Sequence, residues 1–486
     1  MKNKLATIAA LLLCWPGVAG AEDFYFAAVQ QGSGTGASCV TARPISFFNN
    51  AANWDALVAD NSKIGPGDDA YLCNDGGDFV QILTKGAGTL VNPIDIRIAS
   101  PYVIVDNGFA NNNAIYVGAD DDYINFYGDG KLTVVGAIQN GFYIDSSDYV
   151  IVNGVTSTGH RIAGFRAVGS DHVTLEYSNL HDNDSAAAIA YGAYFTAGSD
   201  YGVIRYCNLY NNGTALATDA RGVTIANGSS YCEVHHCNIY DNNSASNDGS
   251  SVEIYDADHA KIYLNPRMTG SQTGIEAKSN GDTTYPDSSD YMEAYNNYIN
   301  ATVGIMYGEW PEDGTGAESE HGQLYNNTIV ATVIGIDIHS PNQSLKNNIV
   351  QMNSDGFIYA FRFLNMSSAD IDTVDMDYNI SYLPGTNNQH MRDASAGVNY
   401  ATAATWNAAR PAQDAHSLNI NPSLDAQGRP RNPAVWNAGS FIDDQKYSGS
   451  APAIGAWDYS PGLSLPGRLV PSIPATWSMG DNGRMF

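Results

Sequence analysis

Three residues suited to proton chemistry stand close together in this chain: Glu253, Glu276 and Lys278. They lie in Ser251-Val-Glu-Ile-Tyr255 and Gly274-Ile-Glu-Ala-Lys278, two segments of apolar-x-apolar pattern. Side chains alternate faces along a strand, so the x positions share one side. If the two segments are neighbouring strands, their backbones run roughly 4.8 Å apart and the two carboxylates repel. Three arrangements relieve the repulsion. A Ca²⁺ ion could bridge the glutamates, since it takes carboxylate oxygens. Lys278 could lie across both. One glutamate could keep its proton and act as an acid. Lys278 can itself serve as a general base when its surroundings favour the neutral amine; an ion pair with either glutamate explains it equally well.

These positions belong to a ladder. A small residue followed by apolar-x-apolar recurs at Gly141, Gly164, Gly192, Gly222, Ser251, Gly274, Gly304, Gly335 and Gly356, with intervals of 21 to 31 residues between the apolar residues that follow. Repetition in this range marks a stacked architecture. Each repeat reads as short period-two strands broken by Gly, Asn, Asp and Ser, with no helical period. The fold expected is all-β, a parallel β-helix.

Two outward columns follow from the alternation. One reads Tyr143, Arg166, Tyr194, Thr224, Glu253, Glu276, Met306, Asp337 and Ile358. The other reads Asp145, Val168, Thr196, Ala226, Tyr255, Lys278, Gly308, His339 and Ala360. Ionisable residues concentrate between Glu253 and His339, and the last rung is bland. A further column of turn residues is expected from Asn153, Asn179, Asn208, Asn238, Asn297, Asn327 and Asn348, since Asn tolerates left-handed backbone and bonds its own main chain. Cys207 and Cys237 should share a column, and His235 and His236 should face opposite sides of a strand.

Met1-Lys-Asn-Lys4, the apolar run Leu5–Leu13 and Ala19-Gly-Ala21 read as a secretory signal peptide cleaved after Ala21. An exported chain can form disulfides, and Cys39 with Cys73 is the pair expected to staple an N-terminal cap. The net charge of −28 argues against a nucleic-acid partner and suits a solubilised extracellular protein. No later stretch is long and apolar enough to span a membrane, and a monomer is expected.

In chain order, residues 22–100 form the cap and first coils, 101–365 the regular coils, 366–460 irregular C-terminal coils, and 461–486 a flexible tail. Strands are expected at Phe24–Phe26 and Ala70–Cys73, short helices at Asn53–Ala59 and Ala401–Arg410, and a closing strand at Pro452–Tyr459. Pro66-Gly-Asp68, Gly88-Thr89 and Asn92-Pro-Ile-Asp-Ile-Arg97 resemble the opening of secreted right-handed β-helix proteins, the superfamily of pectate lyases, alginate lyases and chondroitinase B-type enzymes. The Lys278-Ser279 pair in Glu-Ala-Lys-Ser is similar to the Lys-Ser motif of the alginate lyase and chondroitinase B types, where the lysine is the base and nearby glutamates hold calcium.

That resemblance implies a polysaccharide lyase on an acidic polymer, alginate before pectate. Lys278 would be the base, with Ca²⁺ on Glu253 and Glu276. Those enzymes carry Arg-His-Gly on the next coil, where this chain has Met306-Tyr-Gly308. Tyr255, with His339 behind it, is therefore the expected proton donor. Arg166, Tyr194, Arg221, Arg267 and Asp337 are expected at the substrate, with Tyr285 and Trp310 stacking on sugar rings from the loops that wall the groove. The alternatives are a glycoside hydrolase using Glu253, Glu276 and Asp337, a uronate C5-epimerase, and a non-catalytic carbohydrate-binding protein or adhesin.

Overall fold

The computed structural model describes residues 22–456 except 57–61, 101, 109–111, 185–188, 214–218, 244–248, 280–287, 309–318, 355, 357, 437 and 443–453. The signal peptide, the tail, Tyr285 and Trp310 therefore lie outside the described residues, as do large parts of the expected groove loops. No helix among the described residues is long and apolar enough to cross a membrane.

Short strands wind into a parallel β-helix of about ten coils, with three flat faces. The first face contains Ala163–Val168, Ile189–Thr196, Asp219–Ala226, Gly249–Tyr255 and Thr273–Lys278. It continues through the ends of Tyr298–Tyr307 and Thr328–Ile338 to Tyr359–Phe363. The second face carries strands such as Val203–Arg205 and Lys261–Tyr263, and the third such as Asn208–Tyr210 and Arg267–Thr269. Alternate side chains from all three fill one continuous apolar core.

The small residue opening each first-face strand has a steric cause. A Cβ at Gly192, Gly274, Gly304 or Gly335 would sit 2.4–2.5 Å from a carbonyl oxygen of the next coil. The rung after Gly335 supplies Ala360 at this position, not Gly356 as the sequence pattern suggests. The strand is Tyr359–Phe363, and Asp337 pairs in register with Arg362. Ile358 and Ala360 leave the two outward columns. The C-terminal end of the face is thus charged, where the sequence reading made it bland.

The corners are built from ladders. The expected single asparagine column is several. Asn179, Asn208 and Asn238 bond one another on the third face. Asn297, Asn327, Asn348 and Asn379, each one position before its third-face strand, form a buried ladder with Asn265, which stands two before its own, continuing the column of Cys207 and Cys237. A one-residue offset turns a side chain to the other face, which is why pooling these asparagines failed. Asn183, Asn212 and Asn242 make a third ladder, and Asn153 bonds Glu176 instead. At the first corner Tyr123, Tyr149, His172, Tyr201, Tyr231, His259, Tyr291 and His321 stack ring on ring at 4.5–5.2 Å. All eight adopt positive φ.

Cys39 and Cys73 form the expected disulfide, with Cα atoms 5.6 Å apart. Cys207, Cys232 and Cys237 are free and buried. Helical turns stand at Ile45–Phe48, with Pro44 at the N-cap, and at Ala51–Asn53; of the expected helix Asn53–Ala59, residues 57–59 lie outside the described residues. Trp54 then packs edge-on against Phe48. At the other end the helix Ala403–Ala409 buries Trp406 against Phe363, as expected. Of the predicted closing strand only Ile454–Ala456 is described, and it hydrogen-bonds to Val435, Asn347 and Thr328.

Candidate active site

The first face brings Glu253, Glu276 and Lys278 together as the alternation requires. Glu253 is in register with Glu276, and Tyr255 with Lys278. The lysine lies across both acids: Nζ is 3.1 Å from Glu253 Oε1 and donates to Glu276 Oε1 at 3.0 Å. Arg221, from one coil earlier, completes the cluster. Its Nε is 3.0 Å from Glu253 Oε1, out of line for a hydrogen bond. Its Nη2 is 3.9 Å from Glu276 Oε2, and Nη1 pairs with Asp219. Thr224 Oγ1 donates to Glu253 and Ser250 Oγ to Glu276. Arg221, Glu253 and Glu276 are almost fully buried, whereas Lys278 is partly exposed.

Electrostatics follow from that geometry. Burial alone would raise the Glu253 pKa, but Arg221 and Lys278 outweigh it and hold the carboxyl at about 2. Burial would lower the Lys278 pKa; Glu253 and Glu276 overcome this and raise it above the ordinary lysine value. Of the three expected arrangements, the lysine bridge is the one present, reinforced by an arginine. The glutamate oxygens are occupied by two cations and two hydroxyls, so this pair does not suit a calcium ion. Among the described residues no cluster of three or more His, Cys, Asp or Glu could hold a metal.

Tyr255 is half-buried beside the cluster, its ring centroid 5.7 Å from Lys278 Nζ. Further along the face Asp337 and His339 sit together, with His339 Nε2 3.1 Å from Asp337 Oδ2. Arg362 clamps the same carboxylate through Nε at 2.8 Å and through Nη2. Burial is outweighed by Arg362 and His339, so the Asp337 pKa is lowered. Buried His339 Nδ1 has no hydrogen-bond partner among the described residues. Gly308 lies between Lys278 and His339 in their column, its backbone nitrogen donating to the Ala277 carbonyl, and a Cβ there would sit 2.6 Å from His339 Cβ.

Two expected substrate residues are placed otherwise. Arg267 lies on the third face, 3.8 Å over the Tyr240 ring, away from the cluster. Arg221 is sealed as a counter-ion rather than offered to a ligand. Arg166 and Tyr194 remain on the site column, in register with one another. His235 and His236 do not face opposite sides: their Nδ1 atoms are 2.8 Å apart, because His236 leaves the strand with φ 56°.

Asp219 and Arg362 were missed. Asp219 is two residues before Arg221, a spacing that puts both on one side of a strand. Arg362 was hidden by the shifted last rung. A Ser381–His390–Asp414 relay also exists, with Oγ–Nδ1 2.8 Å and Nε2–Oδ2 2.6 Å. All three are buried, so the relay fastens residues 414–419 to the coils.

No protein-family model matches the chain, and no curated protein matches it. Among solved structures, pectate lyase Pel9A is similar over 91% of this chain and 98% of its own, at 15% identity and a TM-score of 0.53. An alginate lyase from Paenibacillus sp. str. FPU-7 matches over 68% of this chain and 91% of its own, at 15% identity and a TM-score of 0.38. The mannuronan C-5 epimerase AlgE6 A-module of Azotobacter vinelandii matches over 67% and 90%, at 12% identity and 0.37. The chain therefore has the right-handed parallel β-helix fold, similar to that of pectate lyase Pel9A.

Proposed function

We propose that this chain is an exported lyase that cleaves a uronate-containing polysaccharide by β-elimination, alginate ahead of pectate. The observation that carries the reading is Lys278, presented beside Tyr255 on the face of a β-helix similar in fold to a pectate lyase. Lys278 Nζ takes the proton from C5 of the uronate. The C5–H electrons form the C4–C5 double bond, the C4–O4 bond breaks, and Tyr255 donates a proton to O4. His339 is the second candidate donor. The hydrolase alternative needs a carboxyl that keeps its proton near neutrality. Glu253 and Asp337 are held ionised by Arg221, Lys278 and Arg362, which weighs against either of these two as that acid.

The test is the ultraviolet absorbance of unsaturated uronate when the mature protein meets alginate, pectate or a glycosaminoglycan. A rise on one polymer supports the lyase. A flat trace on all three, with new reducing ends on a neutral glycan, would replace it with the hydrolase. Altered uronate stereochemistry without cleavage would identify the epimerase, and binding alone the adhesin.

Two conditions sharpen the assay. A chelator is expected to leave the rate unchanged, since Arg221 and Lys278 already neutralise the glutamates; a loss reversed by calcium would show that a metal is required after all. The rate should also climb with pH from neutrality into the alkaline range. Glu253 and Glu276 favour protonated Lys278, and only the neutral amine can accept the proton. A profile that peaks below neutrality would remove Lys278 as the base.

A further inference from the structure

On the site column, Tyr143, Arg166, Tyr194, Thr224, Glu253 and Glu276 follow one another coil by coil in strict register. The Arg166 guanidinium lies between two tyrosine rings, 5.8 Å from the Tyr143 centroid and 5.0 Å from that of Tyr194. Tyr191 stacks on Tyr194 at 4.4 Å, and Tyr116 stacks on Tyr143 at 5.8 Å. Asn227 Nδ2 donates to the Tyr194 hydroxyl. The arginine is thereby fixed in place by rings rather than by acids.

Like Arg43, Arg267 and Arg392, it has no carboxylate ion pair among the described residues, and it differs from them in standing on the site column. Arg97, Arg205, Arg221, Arg362, Arg410 and Arg431 all form ion pairs with carboxylates. Arg166 forms none among the described residues, although the chain holds 51 acidic residues against 23 basic ones. Asp145, on the preceding coil, accepts from the Tyr116 hydroxyl at 2.8 Å instead. Arg166 Nε is shielded from solvent and has no hydrogen-bond partner among the described residues. A guanidinium is a planar fork matched to a carboxylate, and this one is preoriented with its donors unspent.

We propose that Arg166 anchors a carboxylate of the polymeric substrate, a uronate residue distant from the bond that is cleaved. The proposal rests on the polyuronate reading above and adds a direction to it. Arg166 and the coil of Glu276 and Lys278 are four coil steps apart, roughly 19 Å at the spacing of paired strands. The polymer then lies along the long axis of the β-helix, across Tyr194 and Thr224. The anchor also answers the charge problem, because a strongly acidic protein repels a polyanion except where a local cation holds it. Oligomers too short to span the two points cannot use Arg166 while being cleaved at Lys278.

The experiment compares wild type, Arg166→Gln and Arg166→Lys on the polymer that gives the absorbance signal and on its dimer or trimer. Thermal midpoints confirm that each variant is folded. For Arg166→Gln the polymer KM should rise roughly 10- to 100-fold, the loss of one charged hydrogen-bonded contact, with kcat nearly unchanged. Arg166→Lys should recover part of that loss, and the short oligomer should show no difference. Calorimetric titration of Lys278→Ala, with and without Arg166→Gln, by an uncleaved longer oligouronate should show the same loss of affinity. Unchanged KM and affinity in a folded Arg166→Gln protein, on a polyuronate the wild type cleaves, would overturn the anchor and leave the lyase standing. A purely structural stacking role would lower stability in both variants without separating polymer from oligomer, and would also overturn it. A wild type that neither binds nor cleaves any polyuronate would overturn both readings.

Discussion

Replacing Lys278 with alanine is expected to slow unsaturated-uronate formation by about 10²–10⁴-fold, the range for loss of a positioned general base. The substitution also withdraws one of the two cations from Glu253 and Glu276, so a fall in stability accompanies it. The two effects separate in measurement. A folded fraction followed by circular dichroism reports the stability, and the rate per folded molecule reports the chemistry. Lys278→Arg gives an independent check. It keeps a positive charge over both glutamates but cannot release a proton at assay pH. It should therefore recover much of the stability and little of the rate. Activity within a few-fold of wild type in either variant would mean that Lys278 is only a structural cation, and attention would pass to His339 and Asp337.

Arg221→Met is expected to produce the largest loss of stability from a single change in the cluster, about 3–5 kcal/mol, because it leaves buried carboxylates short of a partner. Arg221 is about as buried as Glu253 and touches Asp219, Glu253 and Glu276 at once. Chemical denaturation at neutral pH measures the loss. The pH dependence has a definite sign. In the wild type the Glu253 pKa is depressed to about 2, so its contribution is present above the ordinary carboxyl range and fades as pH falls toward 2. Without Arg221 that carboxyl protonates at higher pH, so the gap between variant and wild type should narrow on acidification. Adding Glu253→Gln to Arg221→Met should return part of the loss, since the two side chains act as a unit. A variant as stable as wild type at neutral pH would show that Lys278 alone suffices.

The sequence made the column from Tyr143 to Asp337 legible because one steric demand repeats on every coil. A small residue must stand where the next carbonyl approaches, and alternation then dictates which side chains face out. The same cue misled at the last rung. Gly356 satisfied the local pattern, but Ala360 satisfies the contact with Gly335, and Arg362 pairs with Asp337. Register there is set by a partner one coil away, which a local pattern does not contain. The cation that relieves the glutamate pair shows the same limit. Lys278 is two residues from Glu276 and could be foreseen. Arg221 is 32 residues from Glu253, and only the stacking of coils brings it within reach. The histidine pair failed for a different reason: His236 sits at a corner in left-handed backbone, where the period-two rule no longer holds.

The ladders have a mechanical corollary. Each asparagine or aromatic rung bonds groups on the coils directly above and below it, so cohesion along these ladders is a nearest-neighbour property. Under tension applied to its two ends, such a rod would part at nearest-neighbour contacts, except where Ile454–Ala456 ties back to Asn347 and Thr328. It would peel one coil at a time, each coil releasing on the order of 100 Å of chain at about 3.3–3.6 Å per residue. The Cys39–Cys73 crosslink would withhold the segment it encloses from that extension, so the capped end would act as a fixed grip while the far end unwound.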